Sequence, residues 1–108
     1  MKFTFVTLFE SLVRPYFEDS ILSRATKEKL ISIVFLNPRD FSTDKHKKVD
    51  DYMVGGGAGL LMACQPLDGT LNFLLKNEPK THIVFLAPAG KKFTQNDARR
   101  LAKKEHIC

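Results

Sequence analysis

Three short β-rich runs, at residues 2–8, 30–36 and 81–87, constrain the fold of this chain more than any other feature of its sequence. Each run is apolar on both faces rather than at every second position. A strand of this kind is typical of a parallel sheet that is covered by helices on both sides. Because helical patterns separate the runs, the sequence predicts an α/β fold with a mostly parallel sheet and helices on both faces.

Helical spacing of apolar residues recurs between these runs. One helix is predicted to begin near Leu12, which would place Pro15 in its first turn, and a second is predicted to end near Lys29. A third helix is predicted over residues 60–76. Thr94 followed by Asp97 predicts the N-cap and a variant capping box of a fourth helix, and residues 106–108 predict a short final strand.

Four of the six glycines, Gly55, Gly56, Gly57 and Gly59, fall within five positions of a polar region that has neither helical nor strand periodicity. Their spacing fits neither the phosphate-binding G-x-x-x-x-G-K-[ST] pattern nor the dinucleotide-binding G-x-G-x-x-G pattern. Glycine permits positive φ angles and lets a planar ligand approach the backbone. Apolar residues 53–54 and 60–62 are expected to anchor both ends of this loop in a core, although a floppy surface loop is the alternative.

Composition narrows the class of protein. At 108 residues with 44% hydrophobic residues the chain is one small globular domain or a piece of a larger one, and its net charge of +5 favours a polyanionic partner. Cys64 and Cys108 lie far apart without metal-ligand spacing, so no metal site is expected. No apolar run is long enough to cross a bilayer and no signal-peptide pattern is present, so a cytoplasmic protein without membrane contact is expected.

Several stretches carry a family resemblance: residues 5–9, 37–41 (NPRDF), 44–51 (DKHKKVDD), 55–59 (GGGAG), 65–67 (QPL) and 86–93 (LAPAGKKF). Together they resemble the bacterial tRNA (guanine-N1)-methyltransferases, which belong to the SPOUT class of S-adenosylmethionine-dependent enzymes. Two departures stand out. Met53 and Val54 occupy positions where the family usually has a proline and an aromatic residue, and Ala87 and Ala89 occupy positions where it usually has serine and glutamine.

The resemblance implies that residues 1–108 are the N-terminal part of the SPOUT methyltransferase domain, without the trefoil knot and the C-terminal tRNA-binding domain. The implied activity is transfer of a methyl group from S-adenosyl-L-methionine to N1 of the guanosine 3′-adjacent to the anticodon of tRNA, by a homodimer. The family's catalytic aspartate and arginine would lie beyond Cys108. No catalytic residue is therefore assigned, and the 108-residue chain alone is expected to be inactive.

The resemblance also implies three groups of binding residues. Cofactor binding is assigned to Leu86, Ala87, Pro88 and Gly90, substrate binding to Asp50, Gly55, Gly56, Gly57 and Gly59, and RNA phosphate contacts to the three lysines Lys45, Lys47 and Lys48, together with Lys91 and Lys92. The alternatives are a plain β–α turn, solvated loop charges and a solvated basic surface, respectively. The cluster at residues 99–104 is interpreted as plain helix surface. The alternative function is a non-enzymatic basic α/β module that binds RNA or a nucleotide.

Overall fold

A three-stranded parallel sheet forms the centre of the structure, which is a computed structural model that describes all of residues 1–108. Strand β1 (Lys2–Val6) lies in the middle, between β2 (Ser32–Leu36) and β5 (His106–Ile107), with strands numbered in chain order. Both neighbours run parallel to β1, so the predicted parallel sheet is confirmed. The central strand has hydrogen-bonding partners on both edges, which suits its β-rich sequence.

Four α-helices and two 3₁₀ turns surround the sheets. They are α1 (Glu10–Val13), a 3₁₀ turn (Arg14–Phe17), α2 (Ser20–Lys27), a second 3₁₀ turn (Pro38–Phe41), α3 (Cys64–Asn77) and α4 (Gln95–Leu101). The first helix begins two residues before the predicted Leu12 and changes to a 3₁₀ turn around Pro15, which lacks the N–H of a regular helix. Helix α2 ends before Lys29, whose φ of +59° is not helical. None of these helices has the length and hydropathy needed to span a membrane.

Aromatic packing covers one face of the sheet. The ring of Phe5 lies 5.6 Å from that of Phe35 on the neighbouring strand and 5.3 Å from that of Phe17 in the first 3₁₀ turn. The guanidinium carbon of Arg14 lies 4.9 Å from the centre of the Phe35 ring. These contacts attach the segment after β1 to the sheet, because offset aromatic pairs and cations above aromatic rings are both favourable.

A buried polar cluster joins the strands to the end of α3. His106 Nε2 lies 2.8 Å from Thr4 Oγ1, and His106 Nδ1 lies 2.7 Å from both Thr81 Oγ1 and Glu78 Oε2. The Thr81 hydroxyl donates its only proton to the Glu78 backbone carbonyl, so the Thr81 oxygen and the Glu78 carboxylate both face His106 Nδ1 as acceptors. The ion pair with Lys2 holds the pKa of Glu78 below its ordinary value. The cluster therefore ties β1, β5 and α3 together.

The strand predicted over residues 81–87 does not form as such. His82 and Val84 donate backbone hydrogen bonds to the carbonyls of His106 and Cys108, and Cys108 donates to the carbonyl of His82. This pairing amounts to a single parallel bridge between His82 and Ile107, and no strand is present at these residues. The prediction was wrong in extent because a β-rich segment becomes a strand only as far as a neighbouring strand accompanies it.

An antiparallel hairpin lies where the sequence predicted a loop followed by a long helix. Strands β3 (Asp50–Tyr52) and β4 (Leu60–Met62) pair around the glycine run, with Asp50 opposite Met62. The helix predicted over residues 60–76 therefore starts only at Cys64, as α3. Strands of three residues contain too little alternation for a sequence pattern to distinguish them from loop or helix.

The capping box at the start of α4 is confirmed. The carboxylate of Asp97 accepts hydrogen bonds from the Thr94 backbone N–H and hydroxyl, and the Thr94 hydroxyl oxygen accepts the backbone N–H of Asp97. Lys91 Nζ lies 2.9 Å from the same, nearly buried carboxylate. The contacts with Lys91 and Thr94 hold the pKa of Asp97 far below its ordinary value of 3.8. Ionised Asp97 is therefore stabilised by folding.

We expect Asp97→Asn to lower the free energy of unfolding at neutral pH, and the difference from wild type to shrink as the pH falls below about 4. The folded-state pKa of Asp97 is depressed, so its contribution is complete above the unfolded-state pKa and is lost as the pH falls through the folded-state pKa. Denaturant titrations from about pH 7 to about pH 2 measure this dependence. Asp68→Asn, at an exposed carboxylate on α3, is the control. A wild type–Asp97→Asn difference that stays constant with pH would contradict the assignment.

Candidate functional site

An apolar groove of about 650 Å³ lies beside the sheet. Of its 19 lining residues 17 are hydrophobic, and most of them come from β1, β4, β5, α3, α4 and the segment at residues 83–86. Phe85 and Leu86 are 70% and 83% exposed at this surface, and Phe93 is also exposed. Contiguous exposed apolar surface of this kind marks a place where a ligand or another polypeptide surface binds. The groove is therefore the main concave surface from which a functional site can be built.

The predicted cofactor residues form a turn beside this groove. Leu86 belongs to the lining, and the backbone N–H of Gly90 donates to the carbonyl of Ala87 over 2.9 Å, which closes the turn around Pro88. A Cβ on Gly90 would lie only 3.0 Å from the Ala87 oxygen, so the tight turn favours glycine. The four residues are thus close together and exposed. Their role in cofactor binding stays a prediction.

The glycine run connects the two strands of the hairpin, and all four glycines adopt positive φ. The angles are +90°, +81°, +128° and +98° for Gly55, Gly56, Gly57 and Gly59, as the sequence predicted. A Cβ on Gly55, Gly56 or Gly59 would meet nothing within 4 Å. The structure therefore requires glycine for its backbone conformation, not because neighbouring atoms crowd these positions.

The sequence predicted that the apolar residues beside the glycines anchor this loop in a core. They do not. Val54 is fully exposed, and Leu60 and Leu61 are each more than half exposed. Met62 alone among residues 53–62 lines the groove. The prediction was wrong because β3 and β4 form a separate two-stranded sheet that does not join the central sheet, so most of their apolar side chains remain exposed.

The three predicted phosphate-binding lysines lie on a tight turn after the second 3₁₀ turn. The Asp44 carboxylate accepts the backbone N–H groups of His46 and Lys48, which hold the pKa of Asp44 below its ordinary value. Lys47 Nζ donates to the Ser42 carbonyl over 3.3 Å, so this ammonium group is turned partly toward the chain. Lys45 and Lys48 are exposed and have no side-chain partner within the chain. Phosphate binding by the three lysines stays a prediction.

Gln65 links this turn to α3, a role that the sequence did not reveal. Its side-chain oxygen accepts the Thr43 backbone N–H over 3.1 Å, and its amide nitrogen donates to the Phe41 carbonyl over 3.0 Å. The rings of Phe41 and Phe73 lie 5.1 Å apart and strengthen the same connection. The only signal in the sequence was that Gln65 belongs to one of the stretches that carry the family resemblance.

The groove brings some of the predicted site residues together and leaves others apart. Leu86 and Met62 both line the groove. The turn at residues 86–90, called the cofactor turn, and the base of the β3–β4 hairpin, called the glycine hairpin, therefore adjoin the same concave surface. The four glycines and the three lysines lie outside its lining. Asp50 pairs with Met62 through the backbone, which places its exposed carboxylate at the base of the hairpin.

Comparison with known proteins identifies the family. The model of the family described as tRNA (Guanine-1)-methyltransferase TrmD matches residues 1–108, which is the whole chain. The chain belongs to this family. The match includes the cofactor turn, the glycine hairpin and the turn at Lys45, Lys47 and Lys48, called the basic turn. It therefore covers every predicted site residue of the chain.

Members of the tRNA (guanine-1)-methyltransferase family from several bacteria are similar to this chain. The tRNA (guanine-N(1)-)-methyltransferase of Campylobacter curvus is 65% identical over 108 residues, and that of Sulfurimonas denitrificans is 55% identical. The crystal structure of tRNA (m1G37) methyltransferase from Aquifex aeolicus covers 99% of this chain with a TM-score of 0.86 at 26% identity. The chain spans 46%, 47% and 48% of these three proteins, respectively, which is just under half their length.

We expect Gln65→Ala to destabilise the folded chain by about 1 kcal/mol, because it leaves the Thr43 N–H and the Phe41 carbonyl without their side-chain partner. Asn72→Ala is a matched control, since Asn72 is an exposed amide on the same helix that bonds only to Asp68 one turn away. Denaturant unfolding compares the two variants, and hydrogen exchange at Thr43 reports the local effect. Equal stability of both variants and unchanged protection at Thr43 would contradict the proposed link.

Proposed function

We propose that residues 1–108 are the N-terminal part of a SPOUT-class enzyme that methylates N1 of the guanosine 3′-adjacent to the anticodon of tRNA. The supporting observation is the 65% identity over the whole chain with a tRNA (guanine-N(1)-)-methyltransferase. Coverage of only 46% of that relative supports the view that the chain is part of a larger functional unit. We propose that this unit uses S-adenosyl-L-methionine and acts as a homodimer.

The cofactor turn has the chemistry that an adenosine moiety needs. Its exposed backbone offers carbonyl and N–H groups beside the apolar side chains of Leu86 and Phe93, and planar purine rings bind between such surfaces. We assign Leu86, Ala87, Pro88 and Gly90 to this contact. S-adenosyl-L-methionine, when bound, supplies an electrophilic methyl group on its sulfonium centre. The turn itself holds and orients the purine end.

Asp50 and the glycine hairpin supply the proposed contact with the target base. The Asp50 carboxylate is exposed and has no hydrogen-bond partner within the chain, so it is free to accept an N–H of guanine. The open faces of Gly55, Gly56 and Gly59 allow a base that has left its stack to lie against the backbone. Guanine N1 carries a proton at neutral pH, which must pass to a base when the methyl group arrives. We assign Asp50 to orientation of the guanine and not to that proton transfer.

Methyl transfer by the complete reading frame that encodes this chain tests the proposal. We expect incorporation of labelled methyl groups from S-adenosyl-L-methionine into an unmodified tRNA transcript with guanosine next to the anticodon. A transcript with adenosine at that position is the control and should accept none. Residues 1–108 alone should show no turnover. If the complete protein binds tRNA but methylates neither transcript, the non-enzymatic RNA-binding alternative is supported instead.

We expect Gly59→Val to abolish methyl transfer by the complete protein with little loss of its overall stability. Gly59 has a φ of +98° in open space, so valine forces the hairpin backbone to change without disturbing a packed core. Ala58→Val adds the same branched side chain at the neighbouring exposed position, where φ is not positive, and should retain more activity. Methylation rates and thermal unfolding of both variants measure the effect. Normal turnover by Gly59→Val would show that the shape of the glycine hairpin is not needed.

A further inference from the structure

Most of the net charge of the chain is concentrated in one short segment. Residues 91–105 carry six cationic side chains, Lys91, Lys92, Arg99, Arg100, Lys103 and Lys104, and two carboxylates, Asp97 and Glu105. The segment therefore holds a net charge of +4 out of the chain's +5. Such a local excess of one sign attracts a polyanion and raises the rate at which it associates.

Helix α4 and the residues just after it carry four of these cationic side chains. Ala98, Leu101 and Ala102 line the apolar groove. Arg99 and Arg100 lie on the side of α4 away from Ala98 and Leu101, Lys103 and Lys104 follow the helix, and all four side chains are exposed. We call these four residues the α4 basic face. Leu101 is buried while the four cations are exposed, so the basic face is presented to solvent.

Most of the charge on the α4 basic face is not neutralised within the chain. Arg100 lies 3.5 Å from the Asp97 carboxylate, which also binds Lys91. Arg99, Lys103 and Lys104 make no ion pair or side-chain hydrogen bond. Cations near the end of a helix complement its dipole, but this effect fades within the last turn and does not require four of them.

Although the sequence favoured plain helix surface at residues 99–104, we propose that the α4 basic face binds backbone phosphates of the tRNA substrate, in addition to the basic turn at Lys45, Lys47 and Lys48. The identity of the RNA rests on the proposed function. The four side chains are all cationic, with no aromatic or amide group among them that could stack on a base or read its edge. This chemistry fits sequence-independent contact with several phosphates. The surface adds affinity and orients the tRNA without selecting the methylated base.

A triple variant of the complete protein, Arg99→Gln with Lys103→Gln and Lys104→Gln, tests the surface. A matched control replaces Arg24, Lys27 and Lys80 by glutamine; it removes the same charges from exposed positions that also lack ion pairs. Fluorescence anisotropy measures the Kd for an unmodified tRNA transcript over a range of salt concentrations. The slope of log affinity against log salt counts the phosphate contacts.

We expect the triple variant to reduce that slope by about two to three and to weaken tRNA binding at least about tenfold near 0.1 M salt. The control should keep a slope within about one of wild type. In methylation assays the KM for tRNA should rise while kcat at saturating tRNA stays unchanged. A charge-conserving variant, Arg99→Lys with Lys103→Arg and Lys104→Arg, should retain the wild-type slope.

Two results would overturn the proposal: equal weakening in the triple variant and its control, which would indicate a general charge effect, or wild-type affinity and slope in the triple variant. Loss of binding by the charge-conserving variant, with its thermal unfolding unchanged, would also overturn the proposal, because positive charge at these positions would then not be sufficient for binding. Failure of the proposed function is distinguished by a different measurement. In that case the wild-type protein would not methylate tRNA, but the difference in salt slope between the triple variant and its control could still be measured.

Discussion

The pairing of β1 with β5 is the interaction on which the rest of the structure depends. Lys2 pairs with His106 and Phe3 with Ile107, so residues more than one hundred positions apart are neighbours in the sheet. The imidazole of His106 reinforces this pairing through Thr4 on β1 and through Glu78 and Thr81 at the end of α3. Without it the segment beginning at His82 would lose its only backbone partner.

The same pairing determines where the candidate site lies. Ile107 and Cys108 line the apolar groove together with residues of β1, and they position the extended segment that leads to Leu86 and the cofactor turn. Burial against this surface raises the pKa of the Cys108 thiol. Helix α4 borders the same groove through Ala98 and Leu101, while Arg99 and Arg100 are exposed. The cofactor turn and α4 thus both adjoin the surface that this one short parallel pairing helps to form.

Features with local causes were predictable from the sequence. The capping box of Thr94 and Asp97, the positive φ angles of the glycine run and the parallel pairing of β1 with β2 all follow from side-chain chemistry within a few residues or from a long β-rich pattern. Features that depend on contacts between distant segments could not be predicted from the sequence. The length of strand at residues 81–87, the β3–β4 hairpin and the link through Gln65 each require knowledge of which segment lies alongside. The exposure of residues 53–54 could not be predicted for the same reason, because apolar side chains are buried only where other segments pack beside them.

The central position of β1 also affects how the chain folds during its synthesis. Residues 2–6 leave the ribosome roughly one hundred residues before β5 does, so β1 can pair with β2 early but has one edge open until His106 and Ile107 emerge. At translation rates of about 5–20 residues per second, this delay lasts on the order of 5–20 s. Throughout that interval the free edge of a β-rich strand is exposed to pairing with other chains. Only the pairing of β5 with β1 closes this edge, so the order of synthesis leaves the sheet incomplete until the last residues of the segment have emerged.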